Sequence, residues 1–583
     1  MRVHDGFGGG AADAATSPRT VDPRPSEVEG RRRGLDRPAP SRLAAASAVV
    51  VPTIVLIVHA SLYGAWIVDD AAITFSYARN MAAGSGPVVQ AGVDPVEGYS
   101  NPAWLALHIA GTWLGLFDRG TWFGVPDYVA FPKTLALVLF VVTLVGCYRA
   151  ARVITSKPAL VTLVAGVAMA AIPSFVIWVV SGLENSLLVA TAVGLAAVLA
   201  PAVVEGRLFT PRAAVWCGLL AALAALTRPD GLVYAGAYPL AALLAVERGG
   251  LRRAAGFVGL STVAFAVPAG LYLVWRLTTF GAWLPNTAVA KSQGLPTVEN
   301  LAPLAEFAMN LGWPFLLTVP VVAIAGIVWG SSARRGLLAI GVPFLLALVA
   351  FVVLEADWMG EYRFASPVWA VGALLGASSM ARLYSVLAPR RWAVAVVAVA
   401  VVGGTASVFP EMQEDALEFT VEPTTSVCTV AEESGRMVNA YADLLGLREG
   451  SVFTADLGGS SLTSRLRVVD LAGLVDADIA RLWADQDWAG FGDHVYERVR
   501  PTFIKGDDSY YFLEPGLGED PRFARDYVEV APSSEKTDYV RRDVVADPAQ
   551  LTALRTLAET RLVPAAQQAA STPLATCGDR LVP

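Results

Sequence analysis

Charged residues are scarce in this 583-residue sequence, because Asp, Glu, Lys and Arg together make up only 16% of it. Ordinary soluble domains contain about 25% charged residues. Hydrophobic residues account for 55%, and the mean hydropathy is +0.51. This composition excludes a soluble protein and predicts a membrane protein.

Motifs for binding nucleotides and metals are also missing. The glycines of residues 84–86 and 458–459 have neither the P-loop nor the GxGxxG spacing, which argues against a nucleotide-sugar donor. The four His residues are scattered, and no grouping of His, Cys and Asp has metal-ligand spacing. The candidates that remain for a divalent cation are Asp69 and Asp70 with Glu97.

The charge that is present is unevenly distributed. From Glu411 onward the sequence has 30 acidic and 16 basic residues, whereas the part before it has an excess of basic residues. An acidic segment argues against nucleic acid as a partner, because phosphate binding needs a basic surface. The Trp, Tyr, Phe and Leu residues of this segment predict a folded domain rather than a disordered tail.

Long apolar stretches recur between residues 43 and 410. A membrane-spanning helix needs about 20 mostly apolar residues, and the first stretch is too long for the apolar core of a signal peptide. We therefore expect a polytopic α-helical protein with about 11 spans. The expected spans are 44–67, 130–148, 159–180, 186–204, 213–227, 231–246, 255–277, 312–329, 337–354, 366–384 and 392–409.

The positions of the basic residues predict the orientation in a bacterial plasma membrane. Basic residues in short loops mark the cytoplasmic side, and here they cluster at 149–157, 207–212, 248–253, 334–335 and 382–391. Residues 1–42 are then a disordered cytoplasmic tail, 43–410 a membrane domain and 411–583 an extracytoplasmic α/β domain. The apolar segment 101–117 is expected to be re-entrant or surface-lying, since a full crossing would invert every later loop.

In this topology the other polar groups collect on the outer face. They lie at residues 69–70, 97–101, 184–185, 228–230, 285–291 and 357–363. Ionisable groups at the mouth of a helix bundle indicate a site that opens outward more than an ion path through the membrane.

The Asp69-Asp70 pair follows the first span directly. Burial and mutual repulsion raise the pKa of such a carboxylate, and one of the pair is a candidate general base toward a sugar hydroxyl. The alternative is that two Asp residues simply end a helix at the interface.

Residues 68–104 resemble the first outer loop of bacterial GT-C glycosyltransferases. The typical motifs, DDAYI and EGYTNPLW, read DDAAI at 69–73 and EGYSNPAW at 97–104 here, with Ala72 in place of the aromatic residue. Further similar stretches follow in the same order at 181–187, 226–231, 280–292, 355–364 and 456–480. The resemblance covers most of the chain.

This resemblance implies transfer of a sugar from a polyprenyl phosphate to a cell-envelope glycan or another acceptor hydroxyl at the outer face. The arrangement is similar to actinobacterial arabinofuranosyltransferases of the AftB type, although the EGYSNP motif departs from theirs. It implies a catalytic first outer loop, 68–129, in which Asp69 or Asp70 acts as the base or orients the acceptor.

Cations are needed where the charge of the leaving phosphate develops. The candidates are Lys291, Arg228 and Arg363, and the alternatives are a snorkelling Lys291 and ion pairs of the two Arg residues with nearby carboxylates. The candidates for binding the sugar or the acceptor are Glu97, Tyr99, Asn101, Glu184, Asn286 and Asp357. The alternative for Asn101 and Asn286 is a turn role, because each lies beside a proline.

The acidic domain contains two Cys residues, Cys428 and Cys577, near its two ends. An oxidising exterior permits a disulfide between them, and two unpaired thiols are the alternative. Strands are predicted at 451–455, 466–469 and 502–504, with a helix at 476–484. Four aromatic residues are candidates for stacking on a polysaccharide acceptor or for core packing: Trp483, Trp488, Tyr510 and Tyr511.

Two other function classes fit a polytopic chain. A transporter or flippase of lipid-linked saccharides is expected to show charges in mid-span or broken helices in two halves, and the sequence shows neither. A non-catalytic envelope scaffold gives no reason for acidic and cationic groups from several loops to collect on one face.

Overall fold

The computed structural model describes residues 42–247, 249–291, 302–310, 312–329, 333–354, 358–507, 510–532 and 536–583. The predicted tail and Asp357 lie outside these ranges, except that Arg42 begins the first helix. Residues Arg42–Pro583 form one compact unit, so the membrane part and the acidic domain contact each other extensively.

Helices make up most of the membrane part, and each predicted span overlaps a helix, although the first helical stretch ends at Tyr63 rather than at residue 67. Seven helices of the described residues, or eight with one bent pair, are long and apolar enough to cross a membrane. The helices are Arg42–Ala60, Asp69–Ala82, Pro102–Trp113, Asp127–Ala151, Pro158–Ala171, Pro173–Val180, Asn185–Val204, Pro211–Thr227, Ala237–Ala245, Leu251–Phe280, Asn286–Lys291, Ala302–Asn310, Gly312–Trp329, Arg334–Val353, Ser366–Leu387 and Arg391–Val421.

Three other predicted spans are bent, short or divided. The span at 159–180 bends by 80° between Ala171 and Pro173, since a proline prevents continuation of the helical hydrogen bonds. The span at 213–227 is the 17-residue helix Pro211–Thr227. The span at 231–246 is a 3₁₀ helix, Pro229–Gly236, followed by the nine-residue helix Ala237–Ala245.

The segment 101–117 forms the helix Pro102–Trp113, which has only 12 residues. At about 1.5 Å per residue it is roughly 18 Å long, much shorter than the hydrocarbon core of about 30 Å. It therefore does not cross a membrane alone.

The acidic domain contains a five-stranded mixed sheet. Its strands are β3 (Ser451–Thr454), β4 (Arg467–Asp470), β5 (Phe503–Asp507), β6 (Tyr527–Pro532) and β7 (Lys536–Arg541), and their spatial order is β4-β3-β5-β7-β6. The strands β1 (Thr121–Trp122) and β2 (Val125–Pro126) form a separate hairpin.

Strand β3 pairs in parallel with β4 and β5, and the antiparallel hairpin of β6 and β7 completes the sheet. The fold class expected from the sequence is thus confirmed. The hairpin of β6 and β7 was not predicted. The helices of this domain are Val427–Val430, Met437–Leu444, Gly458–Thr463, Ala477–Asp485, Trp488–Asp493, Tyr510–Leu513, Pro521–Asp526, Pro548–Leu557 and Val563–Ser571.

The C-terminal segment after Ser571 returns to the membrane part. A disulfide joins Cys577 to Cys428, 149 residues earlier. The carbonyl of Leu574 accepts a hydrogen bond from the amide of Ala65, and Arg79 donates to the carbonyl of Leu581. The segment therefore connects the end of the acidic domain to the first outer loop.

We expect the disulfide to stabilise this connection. Reduction removes a constraint on a loop of 149 residues, and loss of a disulfide of this kind costs about 2–4 kcal/mol. Purified protein should melt at a lower temperature with reductant than without it. The double variant Cys428→Ser/Cys577→Ser should melt at the reduced wild-type temperature and should not respond to reductant. A change in the melting temperature of this variant with reductant would contradict the disulfide between Cys428 and Cys577.

Candidate active site in the first outer loop

The first outer loop begins where the membrane part meets the acidic domain. Val68 forms an antiparallel bridge with Ser426, and the amide of Asp69 donates to the carbonyl of Thr425. Asp69 then starts the helix Asp69–Ala82, so both carboxylates of the pair lie in its first turn. Negative charge is favourable there because the helix dipole is positive at its N-terminus.

The two carboxylates of the pair have different surroundings. Asp69 is buried, and its Oδ2 and Oδ1 accept hydrogen bonds from the amides of Gly458 and Gly459 at 2.9 and 2.6 Å. Asp70 is partly exposed. The Asp69 carboxylate therefore binds the start of a helix in the acidic domain, whereas the Asp70 residue keeps part of its surface exposed.

The glycine pair at 458–459 is required by this close approach. A Cβ atom on Gly458 would lie 1.9 Å from the carbonyl oxygen of Asp69, and one on Gly459 would lie 2.5 Å from the backbone of Ala431. The sequence suggested no role for these glycines beyond the absence of a nucleotide motif.

The pKa of Asp69 is raised well above its ordinary value. Burial is the largest cause, and the negative charges of Asp456 and Asp70 act in the same direction, while the bonds from Gly459 and Gly458 oppose them. The sequence predicted such a shift for one member of the pair.

Gly458→Ala should detach the acidic domain from the first loop, because no side chain fits against Asp69. We expect faster proteolysis of the acidic domain and a melting temperature lowered by several degrees. Gly403→Ala is the control, since a Cβ atom there meets nothing within 4 Å. Equal behaviour of the two variants would contradict this contact.

A buried polar network joins three outer loops. Thr74 donates to Asn101 at 3.2 Å, and Asn101 donates to Glu184 at 2.7 Å. Arg228 binds Glu184 through Nη1 at 3.0 Å and Asp230 through Nε at 2.8 Å. Three of the candidates predicted from separate parts of the sequence therefore lie in one cluster.

Two guanidinium groups of the site lie against one aromatic ring. Arg228 is 4.6 Å and Arg363 is 4.9 Å from the ring centre of Phe364. Arg363 also lies 5.7 Å from the ring of Trp178 and contacts the sulfur of Met359 at 2.9 Å. Cation–π contacts of this kind hold arginine side chains in place while they remain charged. Phe364 was not predicted to take part in the site.

Glu97 has partners that were not predicted. It is 2% exposed, and its carboxylate accepts hydrogen bonds from Arg276 Nε and Tyr272 Oη, both at 2.5 Å. Arg276 and Tyr272 lie in the long apolar helix Leu251–Phe280. A charged residue in an apolar helix is costly without a partner, and this signal in the sequence could have identified Arg276.

The remaining candidates line the junction with the acidic domain. The Asn286 side chain donates to the carbonyls of Gly473 and Leu474 at 2.7 and 3.0 Å. Lys291 is exposed at the end of the helix Asn286–Lys291, which packs against the helix Ala477–Asp485. Tyr99 is buried against the ring of Tyr77.

Among the described residues, no group of three or more His, Cys, Asp and Glu side chains is arranged to hold a metal ion. Two of the three carboxylates considered for a cation are bound to N–H donors: Asp69 to backbone amides and Glu97 to Arg276.

No protein-family model and no curated protein matches the sequence. Solved structures do match. ArnT from Cupriavidus metallidurans, bound to undecaprenyl phosphate, is 16% identical with a TM-score of 0.52, over 87% of this chain and 99% of that one. The oligosaccharyltransferase of Archaeoglobus fulgidus is 11% identical with a TM-score of 0.50, over 86% and 75%.

A third similar structure is the arabinofuranosyltransferase AftD from Mycobacteria, at 16% identity and a TM-score of 0.49, over 87% of this chain and 40% of that one. The likeness to ArnT and to the oligosaccharyltransferase shows the fold. The chain therefore has the GT-C fold of a multi-pass membrane protein, as its first outer loop indicated.

Proposed function

We propose that this membrane protein is a glycosyltransferase that moves one sugar from a polyprenyl phosphate to an acceptor hydroxyl at the outer face. The observation that carries the proposal is the difference in hydrogen bonding and exposure between the two residues of the Asp pair. Both oxygens of Asp69 are bound by backbone amides, whereas Asp70 remains partly exposed beside them. Of the two carboxylates in the pair, Asp70 is therefore the one with exposed surface for an acceptor.

In the proposed reaction the acceptor oxygen attacks the anomeric carbon of the donor sugar. The bond from that carbon to the phosphate oxygen breaks, and its electron pair stays on the phosphate. The proton of the acceptor hydroxyl passes to the Asp70 carboxylate. General base catalysis of this kind raises the rate by a factor of about 10²–10⁴.

The leaving phosphate needs positive charge placed in advance. Arg228 binds Glu184 and Asp230, so its main role is to hold the loops of the site together. Arg363 beside Phe364 and the exposed Lys291 are our candidates for contacts with the phosphate. ArnT, which has the same fold, binds undecaprenyl phosphate, and this supports a lipid-linked donor here.

Arabinofuranose is the proposed sugar, and a neutral envelope glycan the proposed acceptor. The support is the resemblance of the loop motifs to those of actinobacterial arabinofuranosyltransferases. The orientation proposed from the Arg clusters places the acidic domain outside the cell, on the side where such a glycan lies.

The test is transfer by purified protein from synthetic polyprenyl-phospho-sugars, with arabinofuranose and mannose first, to oligosaccharide acceptors. The proposal predicts a lengthened oligosaccharide and an equal amount of released polyprenyl phosphate. Donor binding with no transfer to any acceptor, together with movement of the donor across a vesicle membrane, would contradict it and favour a transporter.

A further inference from the structure

An aromatic cluster lies on the acidic domain around Trp483. The ring of Tyr510 stacks on Trp483 with ring centres 5.5 Å apart, and Trp488 and Tyr511 contact its edges at 5.0 and 5.6 Å. Trp483 itself is buried, whereas the exposed fractions of Tyr510 and Tyr511 are 62% and 36%. One ring thus forms the core of the cluster, and its neighbours present aromatic surface to solvent.

The loop 471–476 places this cluster beside the candidate active site. On one side of the loop, the indole of Trp483 donates to the carbonyl of Leu471 at 3.0 Å. On the other side, Asn286 donates to the carbonyl of Leu474. Gly98 of the first outer loop packs so closely on Val475 that a Cβ atom would lie 2.2 Å from its side chain.

The charge of Asp70 acts on the same cluster. Burial raises the pKa of Tyr511, and the negative charges of Asp470 and Asp70 add to this effect. The cluster thus lies within electrostatic range of the first-loop carboxylate, and the helix Ala477–Asp485, which carries Trp483, packs against the helix that ends at Lys291.

We propose that Tyr510, Tyr511 and Trp488, supported by Trp483, form a stacking surface for a sugar ring of a neutral acceptor glycan. This inference rests on the proposed function. Flat aromatic rings supply contact area at low entropic cost, and their polar tips reach hydroxyl groups. The surrounding surface is acidic, with Asp485 and Asp487 exposed beside Trp488, so it repels anionic glycans and accepts neutral ones.

The test measures binding without turnover. Full-length protein in a detergent without a sugar headgroup is titrated with a neutral arabinofuranosyl hexasaccharide, a neutral galactosyl hexasaccharide and an anionic uronic-acid oligosaccharide. Loss of an aromatic anchor typically costs about tenfold in affinity or more. We expect Tyr510→Ala and Tyr511→Ala to weaken binding of at least one neutral oligosaccharide about tenfold and to leave donor binding unchanged.

Two controls separate stacking from a change in the helix Tyr510–Leu513. Tyr510→Phe keeps the ring, and Leu513→Ala removes an exposed side chain from the same helix. Both should bind as the wild type does. Equal binding by all variants, preference for the anionic oligosaccharide, or no binding by the wild type would overturn the proposal.

The outcomes also distinguish a failure of the proposed stacking surface from a failure of the proposed reaction. Tyrosine-dependent binding in a protein that transfers no sugar would contradict the transferase and retain the surface. Transfer with an unchanged KM for the acceptor in both alanine variants would retain the transferase and contradict the surface.

Discussion

Asp70→Asn should lower kcat for sugar transfer by about 10²–10⁴ and leave donor affinity unchanged, because it removes the base and not the binding groups. Asn is nearly the same size as Asp and cannot accept the proton of the acceptor hydroxyl. The measurement is single-turnover transfer from a radiolabelled polyprenyl-phospho-sugar, together with a separate donor-binding titration.

Asp69→Asn is the matched comparison at the neighbouring position. An amide retains one acceptor oxygen, so one of the two backbone N–H groups at Gly458 and Gly459 loses its partner. An unsatisfied buried group costs about 1–3 kcal/mol. We expect a lower melting temperature and a much smaller fall in kcat than for Asp70→Asn. If a stably folded Asp69→Asn variant lost turnover and Asp70→Asn kept it, Asp69 and not Asp70 would be the base.

Arg228→Met should be the most destabilising single substitution in the site. The side chains of Glu184 and Asp230 are only 5% and 7% exposed, and both would lose their cation. Breaking a buried ion pair by removing one partner costs about 3–5 kcal/mol, because the remaining charge is left uncompensated. Thermal unfolding in detergent measures the effect.

Glu184→Gln should cost less, because Arg228 keeps Asp230 as a partner. The double variant Glu184→Gln/Arg228→Met should be less destabilised than the sum of the two single changes, as expected for residues in contact. The control is Arg207→Met, which breaks an exposed ion pair with Glu205 and should cost less than about 1 kcal/mol. Similar losses for Arg228→Met and Arg207→Met would contradict the buried network.

The helical membrane part and the first half of the sheet could be predicted because their signals are local. Apolar stretches of about 20 residues identify spans, and β3, β4 and the helix Ala477–Asp485 follow from short apolar runs between turn residues. The β6–β7 hairpin was not predicted, because charged residues occur throughout the strand Lys536–Arg541 and leave it without a strong apolar pattern.

The candidate residues could be collected on one face from topology, but their partners could not. The pairs Glu184–Arg228 and Glu97–Arg276 join residues 44 and 179 positions apart, and only the packing of the helices brings them together. The same holds for Asp69 and Gly458, which are 389 positions apart. A single sequence shows which groups are costly to bury and leaves open which group neutralises them.

The most direct test of the proposed site is a structure of the protein with a non-hydrolysable polyprenyl-phospho-sugar bound. The proposed site predicts that the phosphate lies beside Arg363 or Lys291 and that the anomeric carbon faces the side of the first loop that carries Asp70. A phosphate bound instead at the Arg-rich loops on the opposite side of the membrane, with Asp70 remote from the sugar, would contradict it.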